Sequence, residues 1–81
     1  MAKDITYNGK AYPGLTMKKI LSDRINVYYE GRPFAVLRGS VVGSAFKWTA
    51  FVDGNIRSTT TSTQRQAAVQ AFNRARLLGE V

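Results

Sequence analysis

Cysteine and histidine are both absent from this chain. Without cysteine there are no disulfide staples and no thiolate zinc site. Without histidine, the usual general base near neutral pH and the commonest metal ligand are missing. Acid is scarce as well: Asp4, Asp23, Glu30, Asp53 and Glu80 are the only carboxylate side chains. Several of them fall at expected turns or termini, where Asp and Glu serve local purposes. No paired-carboxylate spacing, phosphate-cradling glycine loop or nucleophile elbow occurs. A metal held by carboxylates distant in sequence is not addressed by spacing, but neither a metal, a cofactor nor catalysis is expected. No apolar run approaches about 18 residues and no segment has the form of a signal-peptide core, so a cytoplasmic protein without a membrane partner is expected.

What the chain has in excess is positive charge. Twelve Lys and Arg stand against five acids, giving +7 over 81 residues. The excess is spread along the chain, which makes a polyanion the first partner to consider. The length suits one small domain, 1–81, close to the size at which a single core is only just sufficient.

The most informative stretch is Phe46–Leu78, where an aromatic strand, a tight turn, a threonine-rich strand and a basic helix follow one another. Alternating aromatic and β-branched residues interrupted by Asp53-Gly54 signal a hairpin. A two-residue loop would set Val52 opposite Asn55 and Trp48 opposite Thr59; a three-residue loop with Gly54 left-handed would set Val52 opposite Ile56. The second is preferred because it gathers Phe46, Trp48, Ala50, Val52 and Ile56 on one buried face. It leaves Lys47, Thr49, Phe51, Arg57, Thr59 and Thr61 on the other. Thr63 followed by Gln66 is a capping-box start, with Thr61 and Gln64 as a competing pair. From there Ala67, Ala68, Ala71, Phe72, Ala75 and Leu78 fall within an arc of roughly 140°, and Gly79 stops the helix. Arg65 and Arg76 share one flank, roughly 16 Å apart along the axis, with Arg74 on the other.

Toward the N-terminus, Met1–Asp4 is expected to fray and Ile5–Tyr12 to form a hairpin about Asn8-Gly9, ended by Pro13-Gly14. Leu15–Ser22 reads as a two-turn helix with Met17, Ile20 and Leu21 inward, short enough to need tertiary support. Ile25–Tyr29 and Phe34–Arg38 read as a strand pair about Glu30-Gly31-Arg32-Pro33, with Pro33 at a strand start or edge. Gly39–Ser44 is either a loop or a bulged continuation through Val41-Val42. Gly9, Gly31 and Gly54 recur at near-equal intervals, but shared hairpin chemistry accounts for this without a repeat.

The order Trp48-Thr49-Ala50-Phe51-Val52, Asp-Gly turn, basic strand, Thr cap, then Ala67-Ala68-Val69-Gln70-Ala71-Phe72-Asn73-Arg74-Ala75 and a terminal Leu78-Gly79-Glu80 resembles the three-stranded-sheet-plus-helix DNA-binding domains. These include the plant ethylene-response-factor domain, its relatives in phage homing endonucleases and the arm-binding domain of tyrosine integrases. The resemblance covers about the last 35 residues, and it implies a sheet that enters the major groove with the helix packed behind. Thr59-Thr60-Thr61 stands where those domains carry a Gly-aromatic element.

The expectation is therefore an α+β protein: a small antiparallel sheet of hairpins (5–61, about four to six strands) with a C-terminal helix (63–78) on one face. It is expected to bind nucleic acid without catalysis, DNA ahead of RNA. Lys47, Arg57 and Phe51 would be the sheet contacts, Thr49 and Thr59 the hydroxyl donors, and Arg65 and Arg76 the helix contacts. Charged side chains and hydroxyls reach phosphates and base edges, and an aromatic ring stacks or meets a thymine methyl. The alternative is a small phage or mobile-element inhibitor, such as an anti-CRISPR, docking on an acidic host protein through Tyr7, Tyr12, Tyr28 and Tyr29, since Tyr is enriched at binding hot spots.

Overall fold

The computed structural model describes residues 3–81, so the fraying expected at Met1 and Ala2 lies outside the described residues. Asp4 is already engaged, its Oδ1 accepting the Gly14 N–H at 3.3 Å.

Two-residue turns organise the chain. Asn8-Gly9, Glu30-Gly31 and Asp53-Gly54 all have positive φ at both residues, +52° followed by +74° to +80°. This is the type I′ geometry whose twist matches that of the strands it joins. The first turn links β1 (Ile5–Tyr7) to β2 (Lys10–Tyr12), a separate two-stranded sheet. After Pro13-Gly14 come β3 (Leu15–Leu21), β4 (Arg24–Tyr29), β5 (Arg32–Val42), β6 (Ala45–Val52) and β7 (Asn55–Ile56). These five form one antiparallel meander in chain order. Helix α1 (Gln64–Leu77) packs across one face, against β6, β5 and β1. The α+β architecture is thus as expected, with five strands in the main sheet.

Two local expectations are corrected and one open choice is decided. Leu15–Leu21 is a strand, not a helix. Its residues satisfy a helical spacing for only two turns, whereas β4 offers a partner from Leu15↔Tyr29 to Leu21↔Arg24. Of the two readings of Gly39–Ser44, the continuation through Val41-Val42 holds, without a bulge: it extends β5, pairing Gly39↔Trp48 through Val42↔Ala45, and the chain reverses at Gly43 (φ +64°). The β6–β7 register is that of the two-residue loop, with Val52↔Asn55 and Phe51↔Ile56. Ile56 therefore lies on the side of Phe51 and is 60% exposed rather than buried.

The rest of the Thr-rich segment departs from a ladder. Arg57 N–H still reaches Ala50 C=O (2.9 Å), but the next pairing is Trp48↔Thr61. Five steps from Ile56 to Thr61 thus face three from Phe51 to Trp48, and the surplus bulges outward. Ser58 Oγ fills the gap by accepting the Ala50 N–H at 2.8 Å.

The core lies between sheet and helix. Leu15, Val27 and Leu37 are fully buried, joined by Trp48, Ala50 and Val52 from β6. From the helix come Ala67, Ala68, Val69, Ala71, Phe72 and Ala75. Trp48 and Phe72 belong to this one cluster, as the two apolar faces require. The small alanines let α1 sit close to the sheet, while Phe72 spans the gap to the rings of Tyr12, Tyr29 and Phe34 at 6.1, 5.0 and 6.2 Å. Leu78 leaves the expected stripe: it is the C-cap, beyond the last turn, and 54% exposed. Phe46 has the parity of Trp48 but is 45% exposed, because it lies past the end of the helix-covered area.

The helix ends are satisfied locally. Thr63 is the N-cap, its Oγ1 accepting Gln66 N–H at 3.2 Å. Thr61 is instead buried, its hydroxyl donating to Thr63 C=O at 2.7 Å. At the other end Gly79 N–H bonds Arg76 C=O (3.2 Å) and Glu80 N–H bonds Ala75 C=O (2.8 Å). With Gly79 at φ +73° this is a full Schellman closure.

Candidate functional site

With α1 on the Trp48 side, the opposite face of the five-stranded sheet has no layer over it among the described residues. Strand pleating fixes what it displays, since residues directly opposite share a face. One row across the sheet runs Lys18, Asn26, Val36, Phe51, Ile56. The next runs Arg24, Arg38, Thr49, and beyond Thr49 stands Thr60, the two hydroxyls 3.3 Å apart. A third holds Ser40 and Lys47, and at the other end lie Thr16 and Tyr28. An open depression of about 560 Å³ in this face has Arg24, Asn26, Val36, Arg38, Phe51 and Asp53 among its lining residues.

The charge pattern is one-sided. Lys18, Arg24, Arg38 and Lys47 all belong to this face, and no Asp or Glu occupies its rows. Arg24 and Arg38 are directly opposed in register, a like-charge pairing that costs stability in a sheet. The Arg38 guanidinium lies 6.0 Å from the Phe51 ring centroid. That contact holds a cation above an aromatic platform.

The residues expected to form the site divide between two surfaces. Lys47, Thr49 and Phe51 are together on the open face, each half-buried. Arg57 and Thr59 are not, because the bulge turns them toward the helix and tail. Arg57 Nε and Nη2 donate to the two Glu80 carboxylate oxygens at 2.8 and 2.7 Å. That bidentate pairing raises the Arg57 pKa and holds the Glu80 carboxyl below its ordinary range, the hydrogen bonds being the larger cause on both sides. Thr59 donates both its N–H and its hydroxyl to Gln70 Oε1, at 3.0 and 2.8 Å. Thr60 takes the position on the face that the expected register reserved for Thr59. Arg65 and Arg76 are exposed on the helix, in the opposite layer, and Arg76 lies 5.5 Å over the Phe72 ring.

Arg24, Arg38, Lys18 and Tyr28 were missed as face residues. Their signal is alternation: Arg24, Asn26 and Tyr28 interleave with buried Ile25 and Val27, and Val36 and Arg38 flank buried Leu37. Of the tyrosines, Tyr12 is buried, and Tyr7 and Tyr29 pack against the core. Three of the four anchors named for a protein partner thus serve the interior. Among the described residues no group of three carboxylates is placed to hold a metal, and no helix is long and apolar enough to cross a membrane.

Comparisons with known protein families, with curated proteins and with solved structures find no match for this chain.

Proposed function

We propose that this protein binds nucleic acid, DNA ahead of RNA, through the open face of its five-stranded sheet, without catalysing a reaction. The observation that carries the reading is the concentration of Lys18, Arg24, Arg38 and Lys47 on one uncovered face whose rows hold no carboxylate. A face that sets two arginines directly opposite each other gives up stability in the free state; a phosphate between them offsets that repulsion. Guanidinium groups suit the task through bidentate pairing with phosphate. Thr49, Thr60 and Asn26 supply neutral donors, and Phe51 with Tyr28 supplies apolar or stacking surface.

The test is a fluorescence-anisotropy titration against duplex DNA, single-stranded DNA and duplex RNA at two salt concentrations. Wild type should bind with affinity that falls steeply as salt rises, through counterion release. Arg24→Gln with Arg38→Gln should lower the slope of log K against log salt by about one for each phosphate no longer neutralised. Both side chains are exposed and mutually repulsive, so the melting temperature should hold. Binding that ignores salt, or an unchanged slope in the double variant, would overturn the reading. Failure of wild type to bind any of the three would turn attention to an acidic protein surface.

A further inference from the structure

The sheet is too wide for the groove it would need to enter. Five strands at about 4.8 Å spacing span roughly 19 Å between outer backbones, whereas the major groove is about 12 Å wide and 8.5 Å deep. One part of the molecule does match those dimensions. β4 ends its pairing at Arg24↔Arg38, with one further bond from Gly39 N–H to Asp23 C=O at 2.8 Å. On the other side, β6 has no partner among the described residues before the Trp48↔Thr61 bridge. Beyond these points β5 and β6 pair only with each other, through Ser40↔Lys47, Val41↔Phe46 and Val42↔Ala45. The result is a two-stranded arm that projects by about 10 Å plus its turn. A two-stranded ribbon fits the major groove.

The arm is braced and suitably charged. A Cβ on Gly39 would overlap the Phe46 ring, so glycine alone lets that ring lie across β5 at the arm's root. There it meets Trp48 edge-on, at 5.3 Å between centroids. The opposite side of the arm continues the basic face: Ser40, Val42, Ala45 and Lys47 follow on from Arg38 and Thr49. No carboxylate occurs between Gly39 and Trp48. Val42 is 51% exposed, with nothing among the described residues to cover it.

We infer that the β5–β6 arm enters the major groove of duplex DNA, while the broad basic face stays outside on the phosphates. Lys47 and Ser40 then meet base-edge acceptors, and Val42 meets thymine methyl groups. This rests on the nucleic-acid reading and adds a division of labour to it: affinity from the face, duplex preference from the arm. It also differs from a flat three-stranded sheet laid whole in the groove.

The test combines dimethyl sulfate footprinting, which reports guanine N7 in the major groove, with titrations of a mixed-sequence duplex and of one of its single strands. Wild type should protect N7 positions within its footprint. Ser40→Ala with Val42→Ser changes no charge and touches no core residue; it should reduce that protection, Lys47 being kept, and weaken duplex binding by about tenfold. Single-strand binding, which needs no groove, should be unchanged. Duplex binding by wild type with every N7 still reactive would overturn the arm's role and leave the face reading standing. Wild type that binds neither duplex nor single strand would remove the face reading, and the arm's role with it. Intact duplex binding by the double variant, together with a change in its sedimentation mass, would make the arm a self-association surface instead.

Discussion

Truncating Phe72 to alanine should bring this protein close to unfolding. The side chain is 6% exposed and forms the centre of a four-ring cluster with Tyr12, Tyr29 and Phe34, with the Arg76 guanidinium above it. Its neighbours come from β2, β4, β5 and the helix, elements that cannot all collapse into the space left behind. Removing a buried phenyl group costs about 3–5 kcal/mol once the cavity is included, and the well-distributed support around Phe72 places it toward the upper end. A domain of this length has a total stability of about 4–12 kcal/mol. The melting temperature should accordingly fall by about 15–30 °C. Phe72→Leu keeps most of the volume and should cost about 1.5 kcal/mol or somewhat more. Trp48 is the only tryptophan and lies in the same cluster, so urea titration followed by its emission reports the destabilisation directly. The midpoint should drop while the slope stays the same. A cost under about 1 kcal/mol for the alanine variant would mean that helix and sheet do not share this core.

Two further outcomes follow from the geometry. Because the bidentate bond from Arg57 depresses the Glu80 pKa, the tail's attachment should be complete above the ordinary glutamate range and lost as pH falls below it, through the lowered pKa; amide exchange at Glu80 should show this step, and Glu80→Gln should abolish it. Gly39→Ala should push the Phe46 ring off Trp48, costing about 1 kcal/mol and shifting Trp48 emission to the red; unchanged emission would refute the brace.

The parts that were legible in the chain are those decided within a few residues. Asn8-Gly9 and Asp53-Gly54 declare their turns, Thr63 its cap and Gly79 its stop, because each acts on backbone beside it. Ambiguity began where the deciding partner is distant. Met17, Ile20 and Leu21 suit a helix as well as a strand until β4 is present to pair with Met17 and Leu21. The β6–β7 register looked like a matter of burying Ile56, but Asp53 at φ +52° closes the loop in two residues. The bulge that removes Arg57 and Thr59 from the face is held by Glu80 and Gln70, 23 and 11 residues away. Three of the four cations of the basic face were missed because they lie on β3, β4 and β5, and only the pairing of four strands makes them neighbours of Lys47.

The meander also sets an order of events during synthesis. Every strand in the main sheet pairs with its immediate neighbour in the chain, so local closure alone can assemble it, a condition associated with fast folding. The helix that shields its apolar side comprises residues 64–77, within the last part of this sequence to leave the ribosome. Until then Trp48, Leu37 and Val27 have no helix to cover them, and the N-terminal hairpin has none to rest against. A chain stopped just before Gln64 would lack the helix half of the core, including Phe72, and its sheet would have nothing to bury its apolar side against. Expression yield should therefore depend far more on completing the helix than on any single residue of the basic face.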